Sequence, residues 1–308
     1  MIVGALANTG IRLPEPWIGR TQGGREMAWQ AMQRTKINGV ELELRDRGSG
    51  EPVVFVHGAM GDECAAVLVE PALANQFRLI HYHRRGYGNS EAPKAPVSIS
   101  QQTADCRAVM QHLGVERAHC VGQSYGGAIL LQMALDFPEA VHSLALIEPA
   151  LPSVLGRSQA FSEIVVKAAA MYRSGDKAGA IETFGQEVGG PDFRAVFDRT
   201  LPPGSFERWV ADADTIFRSE LPALQEWQFT REDAVRITQP VLNVVGANTR
   251  TYFREIHETV RTWLPHAENF ELPNATHSML QTNPKGAAEC LVSFFSRHRL
   301  QGNDRPGR

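Results

Sequence analysis

Three side chains in this sequence have the types and settings that acyl transfer needs. Ser124 stands in GQSYG, with Gly122 and Gly126 in G-x-S-x-G spacing. A serine on a sharp strand-to-helix turn needs small neighbours two residues to either side, because the backbone folds back on itself there. Its hydroxyl then stands clear of the sheet, beside N–H groups that open a helix and favour negative charge. His277 lies in NATHSML, among small polar residues that let an imidazole reach inward as a general base. Its competing reading is a solvated loop histidine. Glu148 follows the apolar run Leu144 to Ile147 directly, and Pro149 follows it. An unpaired carboxylate there costs on the order of several kcal/mol to bury. Glu148 is therefore either a solvated strand end or the partner of a buried positive charge.

A second stretch, HGAMGD from His57 to Asp62, offers electrophilic help. A loop there can aim the N–H of Ala59 at the same point as the N–H of Tyr125, forming a two-donor oxyanion hole. His57 reads as a brace for that loop, since it ends a buried strand. Among later histidines, His257 falls inside an amphipathic helix, His266 follows Pro265 in a turn, and His298 lies in a polar tail.

These residues need a scaffold, and the hydropathy pattern supplies one. Val40 to Leu44 alternates, EPVVFVHG forms a buried strand ending at Gly58, and FRLIHYH (77–83) forms another. A helical stripe runs through Cys106, Val109, Met110 and Leu113 over 103–113. AHCVG (118–122) is a strand, YGGAILLQMALDF (125–137) a helix closed before Pro138, and HSLALI (142–147) a further strand. The alternation returns with PVLNVVG (240–246), then a helix with Phe253, Ile256 and Val260 inward. NFELP (269–273) and a last helix carrying Ala287, Cys290, Leu291 and Phe294 complete it. Strands and helices in this rhythm predict an α/β fold with a doubly wound, mostly parallel sheet.

Between the halves, from 150 to 235, two amphipathic helices are expected and no strand. One carries Phe161, Ile164, Val165, Ala168, Met171 and Tyr172; the other Phe206, Trp209, Val210, Ala213 and Phe217. A helical insertion there belongs over the C-terminal ends of the strands, where open α/β sheets bind ligands. The aromatics Phe161, Tyr172, Trp209, Phe217 and Trp227 read first as the insertion's own core. The expected division is an N-terminal extension at 1–34, a core at 35–149 and 236–300, a cap at 150–235 and a tail at 301–308.

Composition narrows the function classes. Of 308 residues 43% are hydrophobic and 21% charged, and the formal net charge is −3, as in ordinary globular proteins. Lys and Arg are dispersed, which argues against a nucleic-acid partner. No apolar run approaches the roughly 18 residues of a membrane span. MIVGALANTGIRLPEPW makes a poor signal peptide. Cys64, Cys106, Cys120 and Cys290 are far apart and form no CxxC pair, so they read as reduced thiols of a cytoplasmic protein. His81 and His83 are the only close histidine pair, with no carboxylate or thiol at ligand spacing, so no metal site is expected.

With GQSYG, HGAMGD, RRGYGNS (84–90) and a histidine in the last loop, the chain resembles the α/β-hydrolase superfamily from about Lys36 to Arg299. The resemblance implies a covalent acyl-enzyme route, a helical cap inserted after the HSLALI strand, and no cofactor. Two departures matter. His83 stands where the family generally has Asp, and GANTR holds Asn248 and Thr249 where the catalytic acid is often found. No Asp or Glu occurs between Asp233 and Glu255. Some members, including many haloalkane dehalogenases and the fungal zearalenone lactone hydrolases, take the acid from the place where Glu148 stands. The expected triad is thus Ser124, Glu148 and His277, with Ala59 and Tyr125 as oxyanion donors.

The expected substrate is a small, fairly apolar ester or lactone. A serine nucleophile excludes halide displacement through a carboxylate ester. Carbon–carbon hydrolysis of a diketone, and cofactor-free dioxygenation in which the His–acid pair deprotonates a substrate hydroxyl, are open alternatives. So is a non-catalytic small-ligand receptor.

Overall fold

Period-two alternation decides where each strand's side chains go. In Glu51–Val56, Val53 and Phe55 enter one apolar cluster while Val54 and Val56 enter the other. Two hydrophobic layers therefore sandwich a single sheet. The computed structural model describes residues 32–300 and the backbone of a short antiparallel ladder, Ile18–Arg20 against Glu26–Ala28. The rest of the expected N-terminal arm, and the tail from 301, lie outside the described residues.

The main sheet has eight strands: β1 Gln33–Ile37, β2 Val40–Arg47, β3 Glu51–Val56, β4 Phe77–His83, β5 Ala118–Gln123, β6 Val141–Ile147, β7 Val241–Gly246 and β8 Glu268–Leu272. Their order is β8-β7-β6-β5-β3-β4-β2-β1. β2 runs antiparallel to both β1 and β4, and all other pairs are parallel. The sheet begins at Gln33, slightly before the expected boundary, because Asn38 (φ 50°) and Gly39 (φ 82°) form a tight two-residue hairpin turn that adds an edge strand. β5 and β7 are buried at every residue, as central parallel strands require.

One face is covered by α1 (Ile99–His112) and α2 (Tyr125–Asp136). Helix α1 starts earlier than its stripe suggested, because the Ser98 hydroxyl caps it by accepting from the Gln101 N–H. Between β6 and β7 the chain is helical and, among its described residues, has no strand. It includes α3 (Gln159–Arg173), α4 (Lys177–Gly189), α5 (Phe193–Thr200) and α6 (Ser205–Ala211), then a π-helical turn at Ile216–Glu220. Trp209 stacks on Phe197, and both are buried with Phe193. Trp227 is likewise buried, whereas Phe161, Tyr172 and Phe217 are half-buried. After β7, α7 (Thr251–Trp263) packs its Phe253, Ile256 and Val260 inward. Helix α8 (Pro284–Arg297) closes the second face through Leu291, Phe294 and Phe295.

Candidate active site

Ser124 sits between β5 and α2 with φ 52° and ψ −117°, a conformation that L-residues rarely adopt. The flanking glycines make the turn sterically possible. A Cβ on Gly126 would lie 2.0 Å from the Val56 carbonyl oxygen, and one on Gly122 would lie 2.6 Å from the Gly126 carbonyl oxygen. The Ser124 N–H donates to the Ile147 carbonyl at 3.0 Å, and its own carbonyl accepts from the Ala150 N–H at 2.8 Å. These two bonds lock the turn onto the end of β6. Ser124 stays half-exposed between the buried Gln123 and Tyr125.

The same β6 end carries Glu148, which is completely buried and also left-handed, at φ 42°. The solvated strand-end reading therefore fails. Its N–H donates to the Val244 carbonyl at 3.1 Å. Oε1 accepts from the Gly246 N–H at 2.8 Å. Oε2 accepts from the Thr249 hydroxyl at 3.0 Å and meets His277 Nδ1 at 2.6 Å. An ionised carboxylate only accepts, so Nδ1 must carry the proton and Nε2 is left as the basic nitrogen.

His277 is buried, and its carbonyl accepts from the Gln123 side chain at 2.7 Å, which ties its loop to the residue before Ser124. Its ring lies flat against Phe253, with centroids 3.7 Å apart and planes 5° apart. The sequence marked Phe253 only as an inward helix residue; its place against the imidazole depends on how α7 meets the last loop. Thr249, in the GANTR loop after β7, hydrogen-bonds the Glu148 carboxylate that β6 carries.

The loop after β3 is held from several sides. Gly58 lies against Ser124, since a Cβ on it would come 3.0 Å from the serine Cβ. Its N–H donates to the buried Glu63 carboxyl in a short bond. Burial pushes Glu63 up to about 8, against the lowering effect of that N–H bond. His57 braces the loop as expected: Nδ1–H donates to the Gly58 carbonyl at 2.8 Å while Nε2 accepts from the Arg84 N–H at 2.9 Å. Burial, with Arg84 and His83 nearby, drives His57 well below its usual pKa and keeps it neutral. The fully buried Arg84 guanidinium donates to the Gly58 carbonyl at 2.5 Å and pairs closely with Glu220 from the helical insertion. The Tyr87 hydroxyl donates to the other Glu220 oxygen at 2.6 Å. Glu63 and Glu220 were not singled out by sequence, because neither belongs to a local motif.

The fold brings distant carboxylates to one member of the His81 and His83 pair. No carboxylate is near them in sequence, but Glu43 Oε2 lies 2.8 Å from His83 Nδ1, and Asp62 Oδ1 lies 3.4 Å from Nε2. Burial opposes protonation of His83, yet the two carboxylates outweigh it and raise its pKa to about 9. The three side chains form an ion-pair cluster between β2, β4 and the loop after β3. No metal-binding group of His, Cys, Asp and Glu occurs among the described residues. All four cysteines are free thiols, three of them buried. No described helix is long and apolar enough to cross a membrane.

A family model described as the alpha/beta hydrolase fold matches residues 51–284. A thermophilic esterase from Thermogutta terrifontis superposes with a TM-score of 0.73 at 20% identity, over 87% of this chain and 100% of that one. In sequence, this chain is 32% identical over 127 residues to the dihydrolipoyllysine-residue acetyltransferase component of the acetoin cleaving system from Cupriavidus necator, covering 41% of this chain and 34% of that protein. It is also 32% identical over 139 residues to the 2-hydroxymuconate semialdehyde hydrolase of Pseudomonas sp. strain CF600, covering 41% and 49%. The chain thus spans between a third and a half of the length of these curated relatives.

Proposed function

Because this chain belongs to the α/β-hydrolase fold family, we propose that it is a serine hydrolase cleaving a carboxylic ester or lactone of a small, fairly apolar substrate. The observation that carries this reading is the 2.6 Å contact between Glu148 Oε2 and His277 Nδ1, on a strand end hydrogen-bonded to the Ser124 turn. A fully buried carboxylate beside an imidazole stabilises the imidazolium that forms when the histidine takes a proton.

In the proposed cycle, His277 Nε2 removes the Ser124 hydroxyl proton and the alkoxide attacks the substrate carbonyl. The resulting oxyanion receives the N–H groups of Ala59 and Tyr125. As the intermediate collapses, the carbon–oxygen bond of the leaving alcohol breaks and His277 returns the proton to that oxygen. Water then attacks the acyl-enzyme with His277 again as base, releasing the acid and free Ser124. The helical insertion at 150–235 acts as a cap that limits water access. None of these steps calls on a cofactor.

The test is direct. A fluorophosphonate should add one adduct on the peptide containing Ser124, and p-nitrophenyl butyrate should be turned over. Ser124→Ala should abolish both, and wild-type turnover by that variant would refute the mechanism. A second reading, carbon–carbon bond hydrolysis, is favoured by the similarity to 2-hydroxymuconate semialdehyde hydrolase. Turnover of a vinylogous diketone with no turnover across an ester and lactone panel would decide for it.

A further inference from the structure

On the hydrolase reading, the N–H of Ala59 must point at one place, yet Ala59 lies in a loop and is itself half-exposed. What aims it can be read from the two peptide planes on either side. In a trans peptide, the carbonyl of one residue and the N–H of the next point in opposite directions. The plane that carries the Ala59 N–H also carries the Gly58 carbonyl, and that carbonyl is gripped by Arg84 Nη2 at 2.5 Å and His57 Nδ1 at 2.8 Å. The Ala59 N–H is thereby turned away from Arg84. The following plane carries the Ala59 carbonyl, which accepts from the Trp209 indole N–H at 2.7 Å.

Both grips lead to the helical insertion. Trp209 belongs to α6, whose neighbours Ser205 and Arg208 also hold Asp62 of the same loop, at 2.8 Å and 2.5 Å. Arg84 belongs to the core, but its guanidinium is anchored by Glu220 in the π-helical turn, and Tyr87 fixes the second Glu220 oxygen. Isolated π-turns within helices recur at functional sites. Glu220 is the last residue of this one.

We propose that Trp209 and Glu220 are positioning residues for the oxyanion hole, so that the Ala59 donor is correctly aimed only when the insertion is seated on the core. The cap is then a structural part of the catalytic machinery in addition to its role as a lid. Opening it relaxes the grip on both peptides flanking Ala59, and a substrate bound under a displaced cap reacts slowly.

The experiment compares p-nitrophenyl butyrate with its thiono analogue, in which sulfur replaces the carbonyl oxygen. Sulfur is a weak hydrogen-bond acceptor, so the preference for the oxo ester reports on the hole. Trp209→Phe deletes the N–H while keeping a ring against Phe197. It should lower kcat by about tenfold to a hundredfold, a fraction of what losing an oxyanion donor costs. KM should stay within about twofold, and the oxo-to-thiono preference should fall with kcat. Glu220→Gln, acting through Arg84 on the other plane, should move the preference the same way. A loss of packing alone would lower both substrates together. If both variants fold and keep the wild-type preference, the inference is overturned while the hydrolase reading stands. If the wild type neither labels at Ser124 nor hydrolyses either ester, both fall.

Discussion

Replacing Glu148 by Gln changes one atom type in a carboxylate whose two oxygens both have named partners, so its consequences can be worked out. The glutamine has two orientations. With its oxygen toward the Gly246 N–H, its NH₂ faces the Thr249 hydroxyl and His277 Nδ1. His277 must then accept at Nδ1 and carry its proton on Nε2, the tautomer that cannot deprotonate Ser124. With its oxygen toward His277, the NH₂ meets the Gly246 N–H, a buried donor–donor contact costing about 1–3 kcal/mol. Neither orientation restores a negative charge beside the imidazolium. The expected loss in kcat is roughly 100- to 10 000-fold, or about 3–5 kcal/mol of transition-state stabilisation. KM should move little, because the side chain lies behind the histidine. The swap is isosteric, so the melting temperature should fall by only a few degrees. Steady-state kinetics on p-nitrophenyl butyrate, with melting curves and fluorophosphonate labelling rates, give the readout. A folded Glu148→Gln protein with kcat within about threefold of wild type would refute the argument.

Further outcomes follow from the same geometry. Thr249→Val removes one donor to Glu148 and should lower kcat several-fold, measured at saturating substrate. Thr249→Asp in the wild type crowds a second carboxylate against Glu148 and should lower activity, yet in the Glu148→Gln background it should recover part of the loss. Gly126→Ala places a methyl 2.0 Å from the Val56 carbonyl, so it should abolish labelling of Ser124 and destabilise the fold measurably in denaturant melts. Glu63 keeps its proton in the folded state up to about pH 8 but loses it near 4.5 when unfolded. The folded state thus binds the extra proton between those values, and this group makes stability fall as pH rises, by up to about 1.4 kcal/mol per pH unit. Glu63→Gln should flatten the wild-type decline in melting temperature from pH 5 to 8; an unchanged slope would rule the assignment out.

The sequence carried the parts of the site that depend on local pattern. The turn at Ser124, the proposed nucleophile, is legible because it needs Gly122 and Gly126 within five residues. The parallel sheet is legible because β5, β6 and β7 are short apolar runs between helices. Glu148 needed more, since only the missing carboxylate in GANTR gave its place after β6 a meaning. The contacts that escaped notice act across long separations. Glu220 meets Arg84 from 136 residues away, Trp209 meets Ala59 from 150, and Phe253 reaches His277 only once α7 is packed. His83 looked unpartnered because Glu43 is its neighbour through the β2–β4 pairing, a register that residue spacing does not encode.

Two adjoining strand ends hold non-glycine residues in left-handed backbone, Ser124 at φ 52° and Glu148 at φ 42°. Each such residue costs on the order of 1 kcal/mol or more. Selecting variants of this protein for heat resistance alone should therefore drift toward glycine at both positions and yield robust, inert molecules. Among the described residues Asn38 and Asn274 are also non-glycine and left-handed, at φ 50° and 54°. The Asn38 side chain donates to the buried Asp105 carboxylate at 2.7 Å, so a thermostabilisation effort has its better target in the exposed Asn274, which is outside the proposed triad and its oxyanion donors and where glycine would relieve backbone strain.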